Sequence, residues 1–365
     1  MHFYPLLLAI SLLSGSVVSA AAVPGKRECA SVETLSLDEL YDLAIAEGGQ
    51  LVVKAGGDEK DQQASTVQAF QEKFPKINIT LTVDLSKYHD SVIDRSLNQT
   101  GIAGTDVTHL QTLHDFIRWK EEGHLLSYKP AGWDQIPDNI KDADGATYVG
   151  IVYFLFTNNF ATAKTNVSEA PTEFLEYLDP KWKGKIVSTY PNDDDAVLFE
   201  SKQTHGWDAI YDFIAQDVQW VRGTATPGAV LLDDSNDRAV SFTTGSGFTN
   251  GSSGLFQQLP GSDFSHSIVW PQRAAIFETA EHPDAAKLYL NWLISEERQA
   301  SLGGWSVRND VPQQDGLKRT YRSGQLDPPA FERFMVDRNV VERFRFQFEQ
   351  LIGTAQGLSP LDDDL

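Results

Sequence analysis

From residue 36 to 123 the chain alternates helix-type and strand-type apolar patterns, with turn residues at the junctions, and this alternation limits the folds open to it. Ile77, Ile79, Leu81, Val83 and Leu85 alternate with Asn78, Thr80, Thr82 and Asp84, the two-residue period of a strand with one buried face. Before it, Leu51-Val52-Val53 reads as a short buried strand that breaks into Ala55-Gly56-Gly57-Asp58. Val67, Phe70 and Phe74 then mark a helix that Pro75 stops. Ser36-Leu37-Asp38-Glu39 is a capping box opening an earlier helix, with Leu40, Leu43 and Ala44 at helical spacing and Gly48-Gly49 at its end.

The same alternation continues. A helix is expected near Asp90 to Leu97, a short strand at Asp106-Val107, and a helix carrying Leu110, Leu113, Phe116 and Ile117 that ends at Gly123. Tyr148 to Phe156, Lys185 to Tyr190 and Arg238 to Thr243 are β-type runs, with a helical stretch from Trp207 to Gln216 between them. Pro283 opens a helix running to Leu302-Gly303-Gly304, and a final helix spans about Phe331 to Leu351. Such a chain is expected to be α/β, a mostly parallel sheet wound by helices with ligands at the carboxyl ends of the strands. The stretch from Thr243 to Gly254, rich in Gly, Ser and Thr, reads as a flexible or hinge-side loop.

With 365 residues, 41% of them hydrophobic, the chain can bury one large core or two ordinary ones. Its net charge of −21 argues against nucleic acid, whose backbone demands a basic face, and makes phosphate and anionic membrane surfaces poor partners. Acidity permits a cationic ligand without requiring one. The apolar run Leu6 to Leu13 and the small residues Val18-Ser19-Ala20 read as a signal peptide over 1–20, so the protein is expected to be secreted, with no stable membrane insertion. Four Asn-x-Ser/Thr triplets, at Asn78, Asn98, Asn166 and Asn250, are then candidate glycosylation sites if the secreting cell is eukaryotic. Lys26-Arg27 is either a dibasic processing point or a solvated turn. Cys29 is the only cysteine, so no intrachain disulfide forms and stability must come from packing.

Motifs of common enzymes are absent: no Gly-x-Ser-x-Gly, no His-Glu-x-x-His and no phosphate-binding Gly-x-x-x-x-Gly-Lys-Ser/Thr. His89, His109, His114 and His124 lack a diagnostic metal-ligand spacing and read mainly as surface or boundary residues, His109 excepted because it follows a strand end. Asp193-Asp194-Asp195 falls at a strand-to-helix junction, where carboxylates cap a helix or, less readily, hold a hard cation.

Five segments, in order, resemble a known family: Leu51-Val-Val-Lys-Ala-Gly-Gly-Asp58, Phe70-Gln-Glu-Lys-Phe-Pro75, Gly104-Thr-Asp-Val107, Asp179-Pro-Lys-Trp-Lys-Gly-Lys-Ile186, and Glu281-His-Pro-Asp-Ala-Ala-Lys-Leu288 through Ser295-Glu-Glu-Arg-Gln299. They span about residues 45 to 312 and are similar to the extracellular solute-binding proteins of bacterial ABC importers, particularly the iron, thiamine and polyamine binders. The resemblance implies an α/β, two-lobed type II periplasmic-binding-protein fold with an interlobe cleft, hinge strands and closure on a ligand. Lobe 1 is then expected over 36–150 and 262–315, lobe 2 over 151–261, with a flexible segment over 21–35 and a C-terminal helical segment, 316–365, packing on the lobes.

Within that frame, backbone amides at Gly56 and Gly57 can approach a ligand and Asp58 can pair with a cationic group, although a tight turn with Asp58 as helix cap accounts for the same residues. Thr108 and His109 are expected at the same cleft, opposite Tyr153, Tyr190, Asn192 and the loop Thr244-Gly245-Ser246, with Trp270 lining the return crossing. The ferric binders carry adjacent tyrosines after the strand that here ends at Thr243-Thr244, and this chain has Gly245-Ser246-Gly247 instead, so tyrosinate ligation of iron is not carried over. No cofactor is expected, the metal question stays open, and the partner is a small molecule or ion bound by a monomer. A eukaryotic secreted relative would leave the ABC importer in question. Two other readings are a secreted enzyme using His109, Asp58 and Tyr190 as acid–base groups, and a secreted protein-interaction factor that kept the fold.

Overall fold

The computed structural model describes residues 30–197, 206–245, 253–258, 268–312 and 327–362. The proposed signal peptide, Lys26-Arg27, Cys29, Ser246 and Asn250 lie outside the described residues. The first three strands, β1 (Gln50–Gly56), β2 (Asn78–Asp84) and β3 (Val107–Leu110), pair in parallel in the order β2-β1-β3. Helices α1 (Leu37–Glu47) and α2 (Ala64–Lys73) pack on one face, and α3 (Ser86–Thr100) and α4 (Leu113–Glu121) on the other, each burying the apolar stripe visible in the sequence. The capping box forms as read: the Ser36 amide donates to Glu39 Oε2 at 2.8 Å and the Glu39 amide to Ser36 Oγ at 3.2 Å.

Two long strands tie this lobe to the next. β4 (Val149–Ala161) pairs antiparallel with β9 (Val269–Ile276) through residues 149–155, then with β7 (Val240–Gly245) and β8 (Leu255–Gln258) through its second half. β5 (Val187–Thr189) and β6 (Gln219–Val221) form a parallel pair, and α5 (Gly206–Ile214) and α6 (Thr226–Leu232) complete lobe 2. The expectation of a mostly parallel sheet is therefore corrected. Every pairing of β4 and β9 is antiparallel, because a strand that returns across a two-lobed molecule runs against the one that left.

Two helices of the sequence reading are also divided. The helix from Pro283 ends as α7 (Pro283–Leu293), and Ser295 opens α8 (Glu296–Ser301) by accepting from the Arg298 amide at 3.2 Å. The C-terminal helix is a hairpin, α9 (Pro328–Val336) and α10 (Arg338–Ile352), divided at Asp337, whose carboxylate accepts from the Val340 amide at 3.3 Å. α9 meets lobe 1 through an Arg273–Glu332 ion pair. α10 meets lobe 2, where Phe344 stacks on Trp207 at 5.8 Å. One apolar cluster, including Leu113, Phe156, Ile210, Phe331 and Phe348, thus unites the hairpin with both lobes.

Candidate functional site

The carboxyl ends of β1, β2 and β3 and the first turns of α2, α3 and α4 face lobe 2 across a cleft. β1 ends in a turn at Gly56, where a Cβ would displace Ser86 Oγ, the acceptor of the Gln111 amide. At Gly57 a Cβ would come within 2.7 Å of Gln62 Oε1. That turn projects Asp58 at lobe 2, where its Oδ2 accepts from the Thr224 amide (2.7 Å), the Thr224 hydroxyl (2.9 Å) and the Ala225 amide (3.3 Å). Lobe 2 prepares this seat with Gly223, at φ +77°, which turns the chain just before Thr224. The hydroxyls of Thr243 and Thr244 both donate to the Thr224 carbonyl, at 2.5 and 3.0 Å.

The Asp58–Thr224 contact stands between two recesses. Asp58 and Thr224 line the first, while Gln62, which accepts from the Asp58 amide, and Gly245, beside Thr244, line the second. The first lies on the α3 and α4 side and gathers Asp58, Asp193, Asp194 and Asp195, with Trp270, Phe331 and Met335 as apolar wall. Around it, Lys87 Nζ reaches Asp193 Oδ1 at 2.6 Å, and Arg222 Nε reaches Asp193 Oδ2 at 3.0 Å while also donating to Tyr88 OH. Burial disfavours the charge on Asp193, but Lys87 and Arg222 outweigh it and hold its pKa below the ordinary value. Asp195 pairs with Arg338 at 2.8 Å and Arg345 at 3.1 Å.

Those four cations leave two carboxylates over. Asp58 and Asp194 make no ion pair among the described residues. Asp194 Oδ1 accepts from the Ala196 and Val197 amides at 2.8 and 3.3 Å. Burial first, then the charges of Asp58 and Asp195, push the Asp194 pKa up to about 6.

The second recess lies on the α2 and α7 side, against β4. His109, Tyr153 and Gly245 line it, with Gln272 and Arg298. His109 is 1% exposed and meets the Tyr289 hydroxyl through Nε2 at 3.2 Å; burial pushes its pKa down to about 4.

Of the residues singled out from the sequence, Gly57, Asp58 and Trp270 thus meet in the first recess, and His109, Tyr153 and Gly245 in the second. The other described ones line neither. Gly56 offers its carbonyl to Gln272 at 3.3 Å, and Thr108, fully buried inside β3, donates to the Lys54 carbonyl. Tyr190 packs on Trp220 at 6.0 Å, and Asn192 donates to the Gly353 carbonyl behind α10. Thr244 serves Thr224, as above. The proposed acid–base trio does not converge, because Asp58 and His109 line different recesses and Tyr190 lines neither.

Sequence reasoning missed Lys87, Thr224, Arg298 and Arg345, and read Asp194 only as part of the run Asp193–Asp195. Lys87 and Thr224 follow the ends of β2 and β6, the same positional signal that pointed to Asp58. Arg298 and Arg345 lie on helices remote in sequence and carried no such signal. Among the described residues no three His, Cys, Asp or Glu side chains are grouped to hold a metal ion, and no helix is long and apolar enough to cross a membrane. Asn78, Asn98 and Asn166 are exposed.

Two α/β lobes joined by crossing strands, with a cleft at the strand ends, make this a type II periplasmic-binding-protein fold. The chain belongs to the bacterial extracellular solute-binding protein family, whose model matches residues 114–319. It is similar to the substrate-binding protein of an ABC transporter from Agrobacterium tumefaciens (TM-score 0.70, 16% identity, 84% of this chain and 96% of that one). It is also similar to the periplasmic binding protein AfuA from Actinobacillus pleuropneumoniae, solved with fructose-6-phosphate (TM-score 0.66, 16% identity, 84% and 100% covered). Iron-bound HitA from Pseudomonas aeruginosa shares the fold as well (TM-score 0.63, 14% identity, 82% and 99% covered). No curated protein matches the chain in sequence.

Proposed function

We propose that this chain is an exported, non-enzymatic binding protein that captures a small organic cation between its lobes and closes on it by hinge motion of β4 and β9. The observation that carries the reading is the pair Asp58 and Asp194, two carboxylates that make no ion pair among the described residues, in a recess walled by Trp270, Phe331 and Met335. An ammonium group there would neutralise their repulsion, and its alkyl or ring portion would lie against the aromatic wall. The family's name and the apolar run near the amino terminus support export.

Calorimetric titration of ligand-stripped protein with alkylamines, α,ω-diamines and thiamine tests the proposal. Micromolar binding of at least one of them that Asp194→Asn and Asp58→Asn weaken is expected. Failure of every amine to bind folded protein would overturn it.

A further inference from the structure

The second recess is chemically the reverse of the first. In a chain of net charge −21, no carboxylate lines it among the described residues. Its one cation, Arg298, makes no ion pair among those residues, and Nε of its guanidinium is buried without a hydrogen-bond partner. One other nitrogen donates to Thr66 Oγ1 at 3.2 Å, and the group lies 4.8 Å over the Trp292 ring. Burial lowers its pKa, so the site bears an uncompensated, partly desolvated positive charge.

Two further features face the same space. α2 begins there with no side-chain cap and no acid in its first turn, and Ser65 and Thr66 both line the recess. His109, 1% exposed, presents a buried Nδ1 that has no hydrogen-bond partner. An unfilled guanidinium Nε, an uncapped helix amino terminus and, in the tautomer whose Nε2 accepts from the Tyr289 hydroxyl, an Nδ1–H of His109 are the complement of a carboxylate or phosphate. The two recesses adjoin at the Asp58–Thr224 contact, and Trp270 and Phe154, which line one recess each, stack at 5.9 Å.

We infer that the second recess is an anion subsite of the same cleft, built on Arg298 with the first turn of α2 and His109, and that the solute is bipolar: an ammonium at Asp58 and Asp194, a carboxylate or phosphate at Arg298. This deepens, and rests on, the reading of the first recess as a cation site.

The test titrates the full, ligand-stripped chain with α,ω-diamines, ω-amino acids and ω-aminoalkyl phosphates of matched length. At least one bipolar class is expected to bind more tightly than the equal-length diamine, by on the order of tenfold, and the favoured class identifies the anion. Arg298→Met should erase that advantage without weakening diamine binding, while Arg298→Lys should keep part of it. Unaltered thermal unfolding of either variant certifies the fold. Diamines binding as tightly as bipolar probes, or Arg298→Met weakening both alike, would overturn the subsite and leave the cation reading standing. If no amine binds, the cation reading fails. The subsite then rests on glutarate and inorganic phosphate: binding of either that Arg298→Met abolishes supports it, and binding of neither overturns it.

Discussion

The Asp58 carboxylate of lobe 1 accepts from both the amide and the hydroxyl of Thr224 in lobe 2, at 2.7 and 2.9 Å, across 166 positions of sequence. The closed cleft is thus held in part by its own carboxylate, seated where backbone amides of the facing lobe converge. Any ligand that engages Asp58 acts directly on the contact that joins the lobes.

Replacing Asp58 by Ala removes its three cross-cleft hydrogen bonds and is expected to open the ligand-free protein. The radius of gyration from small-angle scattering should rise, and closure should lose about 1.5–3 kcal/mol, the usual range for a hydrogen bond to a charged group. An unchanged radius would show that the Lys87–Asp193–Arg222 network and the C-terminal hairpin hold the cleft without it.

Cation affinity should fall on acidification. Asp194 titrates at about 6, raised by burial and by the charges of Asp58 and Asp195, so below that pH the carboxylate that attracts an ammonium is protonated. Calorimetry between pH 7.5 and 5 should show weakening through this window, with proton release on binding near pH 6. Asp194→Asn should flatten the profile.

Asp90 offers a separate test of stability. Burial and the neighbouring Asp115 carboxylate push its pKa up to about 7. The folded state therefore holds a proton that the unfolded state releases nearer pH 4, and stability from this pair declines as pH rises from about 4 to 7. Asp90→Asn should raise the melting temperature by a few degrees at pH 8 and have little effect at pH 4.5. Equal shifts at both values would sink the assignment.

Phe348, 2% exposed, lies 5.5 Å from Trp207 within the cluster that unites the hairpin with both lobes. Phe348→Ala should cost about 3–5 kcal/mol, the range for emptying a buried phenyl site. Chemical denaturation monitored by tryptophan fluorescence would measure it.

Local features were legible. Capping at Ser36, the period of β2 and the glycine turn before Asp58 depend on residues within a few positions of one another, so propensity and pattern suffice. The two-lobed fold was reached through five short segments in the order of a known family. Which of the candidate residues share a recess was not legible. Asp193 and Asp194 are adjacent and chemically identical, yet Lys87 and Arg222 neutralise the first and leave the second uncompensated. Tyr190 and Asn192 sit at a strand end as expected, but packing turns one onto Trp220 and the C-terminal segment engages the other.

By itself the sequence determined the α/β alternation, the glycine turn that aims Asp58, and a net charge of −21, since each is a property of composition or of neighbours along the chain. Tertiary structure alone decided that β4 and β9 cross antiparallel between the lobes, that the C-terminal helices clasp both, and that the cleft divides into an acidic recess and one built on Arg298. The reason is physical: the charge a site presents is what remains after pairing, and here the pairing partners come from helices and strands far apart in sequence.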